Sequence, residues 1–394
     1  MNSSYRLSRP RPVDRRVRCV GHPFAPIGMG EHVRSVLRCL TEVGLDPALV
    51  DIYGPQGTPD PGLVADFGAA VTQDLGDGIN IFCINGDEIA QAFQVLRARN
   101  LLAPGSRNVI YPAWELERYP RDWAEQLMRF DEVWAPSAFI RDAIAETVTI
   151  PVIHMPLACE VTRVALRGRR YFGIRETAHA FLFAFDFLSY LERKNPFAVI
   201  EAFAAVIAAR PWADASLVIK TNNSAQRPEM HARFLKAIAP LADRITVIDR
   251  TLSDAEMKAL MGLCDAFVSL HRSEGFGRGL SEAMALGKPV IATAYSGNMD
   301  FCTEETALLV PYELIPVRPG DYPHHEGQHW ADPDVGTAAA AMLRLLDDPA
   351  FGRALGQRAR SALARGFGYL PVGLRYAERI AMLDQPAGMK GAQA

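Results

Sequence analysis

Two glutamates eight residues apart pose the chemical question in this 394-residue chain. Glu274 and Glu282 stand in "HRSEGFGRGLSEAMALGKPVIAT", residues 271–293, with Gly275, Phe276, Gly277 and Gly279 between them. The apolar positions Leu280, Ala283, Met284 and Leu286 recur at helical spacing and stop at Gly287, a residue type suited to the position just past a helix. Glu274 is therefore expected in a strand-to-helix loop after "DAFVSLHR", and Glu282 in about the first turn of the helix, where a carboxylate suits the dipole. In open α/β sheets ligands sit beyond the carboxyl ends of the strands, and glycines let backbone N–H groups approach them. One glutamate could hold one end of a ligand and the other its far end. Composition alone equally allows Glu282 to be a plain helix residue and the glycines a connection.

Positive charge follows a similar logic. In "YLERKNPFAVIEAF", Asn195 reads as an N-cap and Pro196 as the first helical residue, so Arg193 and Lys194 fall just before the positive end of a helix. The dipole disfavours cations there by ~0.3–1 kcal/mol each unless an anion joins them. A phosphate would remove the conflict; solvated basic residues in a turn are the alternative. Gly28 and Gly30 in "HPFAPIGMGEHVR" open another helix whose N–H groups suit an anion. With Asp51 they suggest a dinucleotide fingerprint. However, Val33 occupies its third glycine position, and Pro23 and Pro26 spoil its tight turn.

Other groups compete for a role. "HHEGQHW" offers His324, His325, Glu326 and His329, but loop histidines without a helical or strand frame are usually solvated. Asp332 and Asp334 form an Asp-x-Asp without a preceding apolar strand, which favours a turn or N-cap. No metal is expected. Asn85, Asp87 and Glu88 end one strand, and Trp114 and Glu115 end the next. These could line a binding site, and packing and capping explain them about as well.

The elements that must position these residues alternate along the chain. Strands read as "RVRCVGHPF", "PALVDIY", "INIFCIN" and "RNVIYPAW", with helices over "GEHVRSVLRCLTEVG" and "EIAQAFQVLRARN". After "FDEVWAPSAFIRDAIAE" and "TIPVIHMPLACE", the basic segment "VTRVALRGRRYFGIRETAH" marks a junction. The pattern then resumes with "AFLFAFDF", "PFAVIEAFAAVIAARP", "ASLVIKT", "RITVID", "DAEMKALMGLC" and "AFVSLHR". Such alternation predicts parallel sheets with crossover helices. "RPGDYPHHEGQHWADPD" reads as a polar loop before the helix "VGTAAAAMLRLLDD". One further helix is expected around "SALARGFGYLPVGLRYAERIAML", then a frayed tail from Asp384. The length is about twice a common domain, so two domains are expected, residues 1–165 and 166–370.

A net charge of −3 excludes the strongly basic domain of a typical nucleic-acid binder. No apolar run approaches the ~20 residues of a membrane span, and the first residues lack the apolar stretch of a secretory signal. A cytoplasmic protein is expected. The six cysteines are scattered, without a Cys-x-x-Cys pair, and read as reduced packing residues. Six arginines between Arg6 and Arg18 form either a disordered tail or a contact to anionic lipid at the inner face of the membrane.

Taken together, "EGFGRGLSE", "AMALGKPVIAT" and "SGNMDF" resemble the donor-site signature of the retaining family 4 glycosyltransferases of the GT-B fold. "GMGEHVR", "WELERYP" and "FDEVWAPSAFIRDA" match more loosely. The resemblance implies two Rossmann-like α/β domains facing each other across a cleft, with residues 371–394 packing back on the first. It implies that Glu274 contacts hydroxyls of the transferred sugar, that the Gly275–Gly277 amides line sugar and phosphates, and that Glu282 binds the nucleotide ribose. The leaving diphosphate needs preorganised cations, supplied by Lys194 and Arg193. The family's arginine after the preceding strand is missing at Phe185–Asp186, so Arg193 or Arg278 takes its place. Asp249 and Arg250 are expected beside the base, and Asp87, Trp114 and Glu115 on the acceptor side. Implied too are metal-free, front-face transfer without a dedicated protein base and without a cofactor, a GDP-sugar (mannose favoured) or UDP-sugar donor, and a saccharide or lipid-linked acceptor. An epimerase or hydrolase of the same fold, or a non-catalytic nucleotide-sugar binder, are the competing readings.

Overall fold

A computed structural model of the chain describes residues 16–384, apart from 26, 55–58, 60, 103 and 104. The arginines from Arg6 to Arg15 and the tail from 385 onward thus lie outside the described residues.

The first sheet is built by β1 (Arg16–Gly21), β2 (Ala48–Asp51), β3 (Gly78–Phe82), β4 (Arg107–Ile110), β5 (Glu132–Ala135) and β6 (Val152–His154), in the order β2-β1-β3-β4-β5-β6. Between them run α1 (Gly28–Glu42), α2 (Pro61–Phe67), α3 (Ile89–Ala98), α4 (Arg121–Leu127) and α5 (Ala138–Ala145). The pairings β1–β2, β1–β3, β3–β4 and β4–β5 are parallel. Every residue of β3 is buried, as expected for a central parallel strand covered on both faces.

The second sheet comprises β7 (His179–Ala184), β8 (Ala215–Thr221), β9 (Ile245–Asp249), β10 (Ala266–Ser269), β11 (Val290–Thr293) and β12 (Leu308–Val310), all parallel, in the order β12-β11-β10-β7-β8-β9. Its helices are α6 (Leu191–Lys194), α7 (Pro196–Ala209), α8 (Pro228–Ile238), α9 (Asp254–Leu263) and α10 (Arg278–Ala285). Helix α7 is apolar nearly all round, because it lies between the sheet and a later helix. Val199, Phe203 and Val206 are fully buried in one cluster with Phe181, Leu217 and Met342. Emptying that position by Phe203→Ala would cost about 3–5 kcal/mol.

Three expectations need correction here. The segment before the next helix is a hairpin rather than a polar loop: β13 (Tyr312–Pro316) pairs antiparallel with β14 (His329–Pro333). Trp330 and Ala331 of β14 are buried, at 1% and 0% exposure, among polar neighbours that hid the strand. The final helical stretch begins earlier and is broken. After α11 (Val335–Asp347) come α12 (Pro349–Phe367) and α13 (Tyr369–Leu383), separated at Gly368, which is extended. Helix α8, amphipathic but preceded by the polar turn "NNSAQR", escaped the reading altogether.

Contacts group the chain into two compact units, residues 1–112, 125–134 and 369–394 in one and 113–124 with 135–368 in the other. In the first, α13 crosses α1 so closely that a Cβ on Gly373 would stand 2.2 Å from the Cys39 carbonyl oxygen.

Candidate functional site

In the second unit the strand order reverses between β7 and β10, the place where open parallel sheets leave a crevice beyond their carboxyl ends. The segments that follow these two neighbouring strands carry the charged residues. After β7 the chain reaches α6, a single turn that ends in Arg193 and Lys194; after β10 it reaches Glu274. Topology thus brings together residues 80 positions apart. Lys194 Nζ lies 2.5 Å from Glu274 Oε1 and Arg193 Nη1 3.3 Å from Glu274 Oε2. Arg193 also approaches Glu115 Oε1, at 3.7 Å, and Tyr322 donates its hydroxyl to Glu115 Oε2. The result is a line of alternating charge, Lys194–Glu274–Arg193–Glu115.

Electrostatics follow from that line. Burial pushes the Glu274 carboxyl upward, but Lys194 and Arg193 outweigh it and hold it at about 2. Lys194 is shifted below the usual lysine value, because burial and the neighbouring arginine outweigh the help of Glu274. Arg193, 5% exposed, is shifted up by Glu115 and Glu274 against its own burial. Glu274 thus lies between the two cations, Arg193 lies between two carboxylates, and Lys194 forms the cationic end of the line.

Asn195 does not cap α7 as its type suggests. It sits in the left-handed region (φ 54°, ψ 54°) with no side-chain cap, and its Nδ2 donates to the Leu270 carbonyl at 3.0 Å. It thereby ties the Arg193–Lys194 turn to the end of β10. Pro196 is the first helical residue, as read.

Glu274 is held from below. Its N–H donates to Ser296 Oγ (2.8 Å) and its carbonyl accepts from Gly297 N (2.9 Å). Ser296 itself adopts φ 74°, ψ −151°, a conformation that costs about 1–3 kcal/mol outside glycine. A Cβ on Gly297 would stand 1.9 Å from the Gly275 oxygen, so the two backbones touch where no side chain fits. Gly277 is the left-handed N-cap of α10 (φ 92°). Phe276 is buried against Phe301, with Arg278 beginning the helix behind it. His271, fully buried, is held neutral by burial: Nδ1 accepts from Ser269 Oγ and Nε2 donates to Asn298 Oδ1, each at 3.0 Å. Neither its role nor that of Asn298 was foreseen, since a histidine after a strand carries no spacing signal.

Glu282 is in the second turn of α10, one turn further on than read, so the dipole contributes little. What holds it is Lys258 of α9, Nζ to Oε2 2.6 Å, a lysine 5% exposed that also pairs with Asp254 at 3.1 Å. Among the apolar residues of "EMKALM" this lysine reads as solvated, which is why it was missed. Gly287 closes the helix as expected: its own N–H bonds the Met284 carbonyl (2.9 Å) and the Lys288 N–H the Ala283 carbonyl (2.9 Å), at φ 72°.

Other predicted residues stand apart from this line. Asp249 ends β9 and accepts from Ser224 Oγ, while the Arg250 guanidinium lies over Tyr171, 5.3 Å from the ring centre. Asp186, where an arginine was wanted, accepts from Leu188 N and Asn223 Nδ2, both at 2.8 Å. Trp114 is 1% exposed, with its indole bonded to the Arg118 carbonyl and its ring packed on Trp123 and Tyr322. Asp334 caps α11 through Thr337 N, as read. Among the described residues no three His, Cys, Asp or Glu are gathered to hold a metal, and no helix is long and apolar enough to cross a membrane.

The first unit has its own reversal, between β1 and β3. Gly28 opens α1 there with open space around it, whereas a Cβ on Gly30 would stand 2.2 Å from the Ala25 oxygen. Gly30 is thus a packing glycine. Asp87 is exposed in the turn after β3, and beside it Glu88 pairs with His22 at 2.5 Å, with Tyr53 stacked on the imidazole at 5.2 Å.

Residues 180–348 match the family described as glycosyl transferases group 1. Among solved structures the chain is similar to sucrose-phosphate synthase from Thermosynechococcus elongatus, at 18% identity over 94% of this chain and 99% of that one, with a TM-score of 0.63. It is also similar to HepE of Anabaena in complex with UDP and glucose (12% identity, 93% and 100% covered, TM-score 0.68). A glycosyltransferase from Rickettsia africae aligns at 13% identity, 94% and 99% covered, TM-score 0.63. At these identities the likeness is one of fold. No curated protein matches the sequence.

Proposed function

We propose that this chain, whose residues 180–348 belong to the group 1 glycosyltransferases and whose two parallel sheets form the GT-B type of α/β fold, transfers a hexose or deoxyhexose with retention at the anomeric carbon. The donor is a nucleotide diphosphate sugar and the acceptor a hydroxyl of a saccharide or lipid-linked glycan, in polysaccharide or cell-envelope glycan synthesis. The observation that carries this reading is the pair of cations, Arg193 and Lys194, gathered on Glu274 at a strand-order reversal, with Lys194 at the cationic end of the line that continues to Glu115.

Each group then has a task. Lys194 and Arg193 turn to the diphosphate and stabilise the charge that grows on the leaving oxygen, an interaction worth more in the transition state than in the ground state. Glu274, relieved of part of its ion pairing, accepts hydrogen bonds from sugar hydroxyls. The Gly275, Phe276 and Gly277 amides line the sugar and phosphates, with Arg278 beyond them. Glu282, held in place by Lys258, accepts from the ribose, and Asp249 and Arg250 flank the base. In the first unit Gly28, with open space at the start of α1, is the anion candidate, and Gly30 serves packing. Of the two candidates for the missing arginine, Arg193 is favoured by its 3.3 Å approach to Glu274. The leaving phosphate takes the acceptor proton, so no protein base and no metal enter. Residues 166–370 hold the donor, while residues 1–165, with Asp87, Trp114 and Glu115, serve the acceptor; Trp114 acts through packing rather than contact.

A thermal-shift screen with GDP and UDP identifies the base, since a ligand that binds only the folded state raises the melting point. Mannose from GDP-mannose is the first donor to test, and HepE bound to UDP and glucose recommends UDP-glucose as the second. NMR of the product should show the anomeric configuration of the donor retained; an inverted anomer would contradict the reading. Turnover of donor without acceptor would favour the epimerase or hydrolase alternative, and tight binding without turnover a plain binder.

A further inference from the structure

We propose that Tyr190, backed by Tyr322 and linked through it to Glu115, is a stacking platform for a pyranose ring of the acceptor saccharide; this deepens the glycosyl-transfer reading and rests on it. Tyr190 combines two features that folding alone disfavours. Its backbone is in a left-handed conformation (φ 60°, ψ 95°) that a tyrosine adopts only under strain, and the residue is 41% exposed. Packing therefore does not explain why a large aromatic residue stands where glycine would be at ease. Its carbonyl accepts from the Lys194 N–H at 3.2 Å, so the ring sits one turn ahead of the cation assigned to the leaving group.

Behind it the surroundings suit a sugar. The Tyr322 ring lies 4.6 Å away, tilted by 57°, and is itself 6% exposed, so it fixes one side of Tyr190 and leaves the rest of the ring open. Tyr322 hands its hydroxyl to Glu115, whose other oxygen is 3.7 Å from Arg193. Through Tyr322 the exposed ring is thus linked to a carboxylate and a guanidinium that are already oriented. Pyranoses are recognised by that combination: the C–H face of the ring lies on the aromatic surface while hydroxyls bond to charged groups at its edge. Because Glu115 leads through Arg193 to Glu274, a sugar here would be in line with the proposed site of transfer.

The test uses the methyl α-glycosides of glucose, mannose, galactose and N-acetylglucosamine at millimolar concentration, without nucleotide, read by saturation-transfer NMR on the full chain. At least one should receive saturation from the wild type, keep it with Tyr190→Phe, and bind on the order of tenfold more weakly to Tyr190→Gly. The glycine variant relieves the strained backbone, so its melting point should not fall. Undiminished binding by Tyr190→Gly, or no glycoside bound by the wild type, overturns the proposal. So does a Tyr190→Gly variant that loses affinity for an intact nucleotide-sugar while glycoside binding is kept, since the ring would then contact the donor's sugar. Nucleoside diphosphate binding by the wild type is titrated separately: its failure counts against glycosyl transfer and leaves the glycoside result standing.

Discussion

The two units reverse their strand order in the same way, yet the chemistry at the two reversals is opposite. Between β7 and β10 stand Arg193 and Lys194 on either side of Glu274, with Glu115 beyond Arg193, whereas between β1 and β3 stand Glu88 and Asp87 with a histidine. Topology supplies a crevice in both, and side chains decide what enters it. A pair of adjacent cations suits a diphosphate; acids that accept from hydroxyls suit a neutral polyol. On this account the first unit's reversal has no strong claim on an anion, apart from the helix start at Gly28.

The contrast breaks most sharply at Lys194. Lys194→Ala should lower kcat on the order of 100-fold or more with a smaller change in nucleoside diphosphate affinity, because its charge acts mainly as the leaving group departs. Equal losses in both would make it a plain binding residue. Next in size is the buried pair behind Glu282. Lys258→Met leaves that carboxylate without its cation and should cost about 3 kcal/mol of stability, seen as a lower urea midpoint; Lys258→Met with Glu282→Leu should recover much of it.

Dependence on pH sharpens the comparison further. Lys194 must be charged to act, and its value is below the usual 10.5, so kcat/KM should fall on the alkaline side earlier than an ordinary lysine would allow. Bound diphosphate favours the ammonium, so the corresponding limb of kcat should move to higher pH. Glu274 behaves in the opposite sense. Held at about 2 against a usual 4.5, its contribution to stability is complete above pH 4.5 and is lost as pH falls from there toward 2. A melting curve taken across that window in Glu274→Gln should lack this component. The smallest effect belongs to the first unit: His22→Ala should leave nucleoside diphosphate affinity unchanged by calorimetry, and a clear loss there would dissolve the contrast.

Much of the second unit was legible because its chemistry lies in short, glycine-punctuated segments next to strongly apolar strands. The placement of Glu274 in a strand-to-helix loop, of Lys194 just ahead of α7 and of Pro196 at its first position is legible for that reason, and so is the α/β class. Lys258 was not, because a lysine on an apolar helix face looks solvated until the partner from another helix is known. Asn195 was misread since its type suits a cap as well as it suits a left-handed turn, and only the nearby Leu270 carbonyl decides between them. Tyr190 and Tyr322 were invisible: one is strained in a way no propensity records, and the other belongs to a loop whose hairpin was taken for a polar connection.

The central claim, that Glu274 serves the sugar and Glu282 the nucleotide, is tested most directly by titrating the free nucleoside diphosphate into Glu274→Ala and Glu282→Ala. The account predicts nearly unchanged affinity for Glu274→Ala. For Glu282→Ala it predicts a loss of roughly 1.5–3 kcal/mol, because charge-assisted hydrogen bonds to the ribose disappear. Affinity lost in Glu274→Ala and kept in Glu282→Ala would reverse the donor's orientation in this loop and contradict the account.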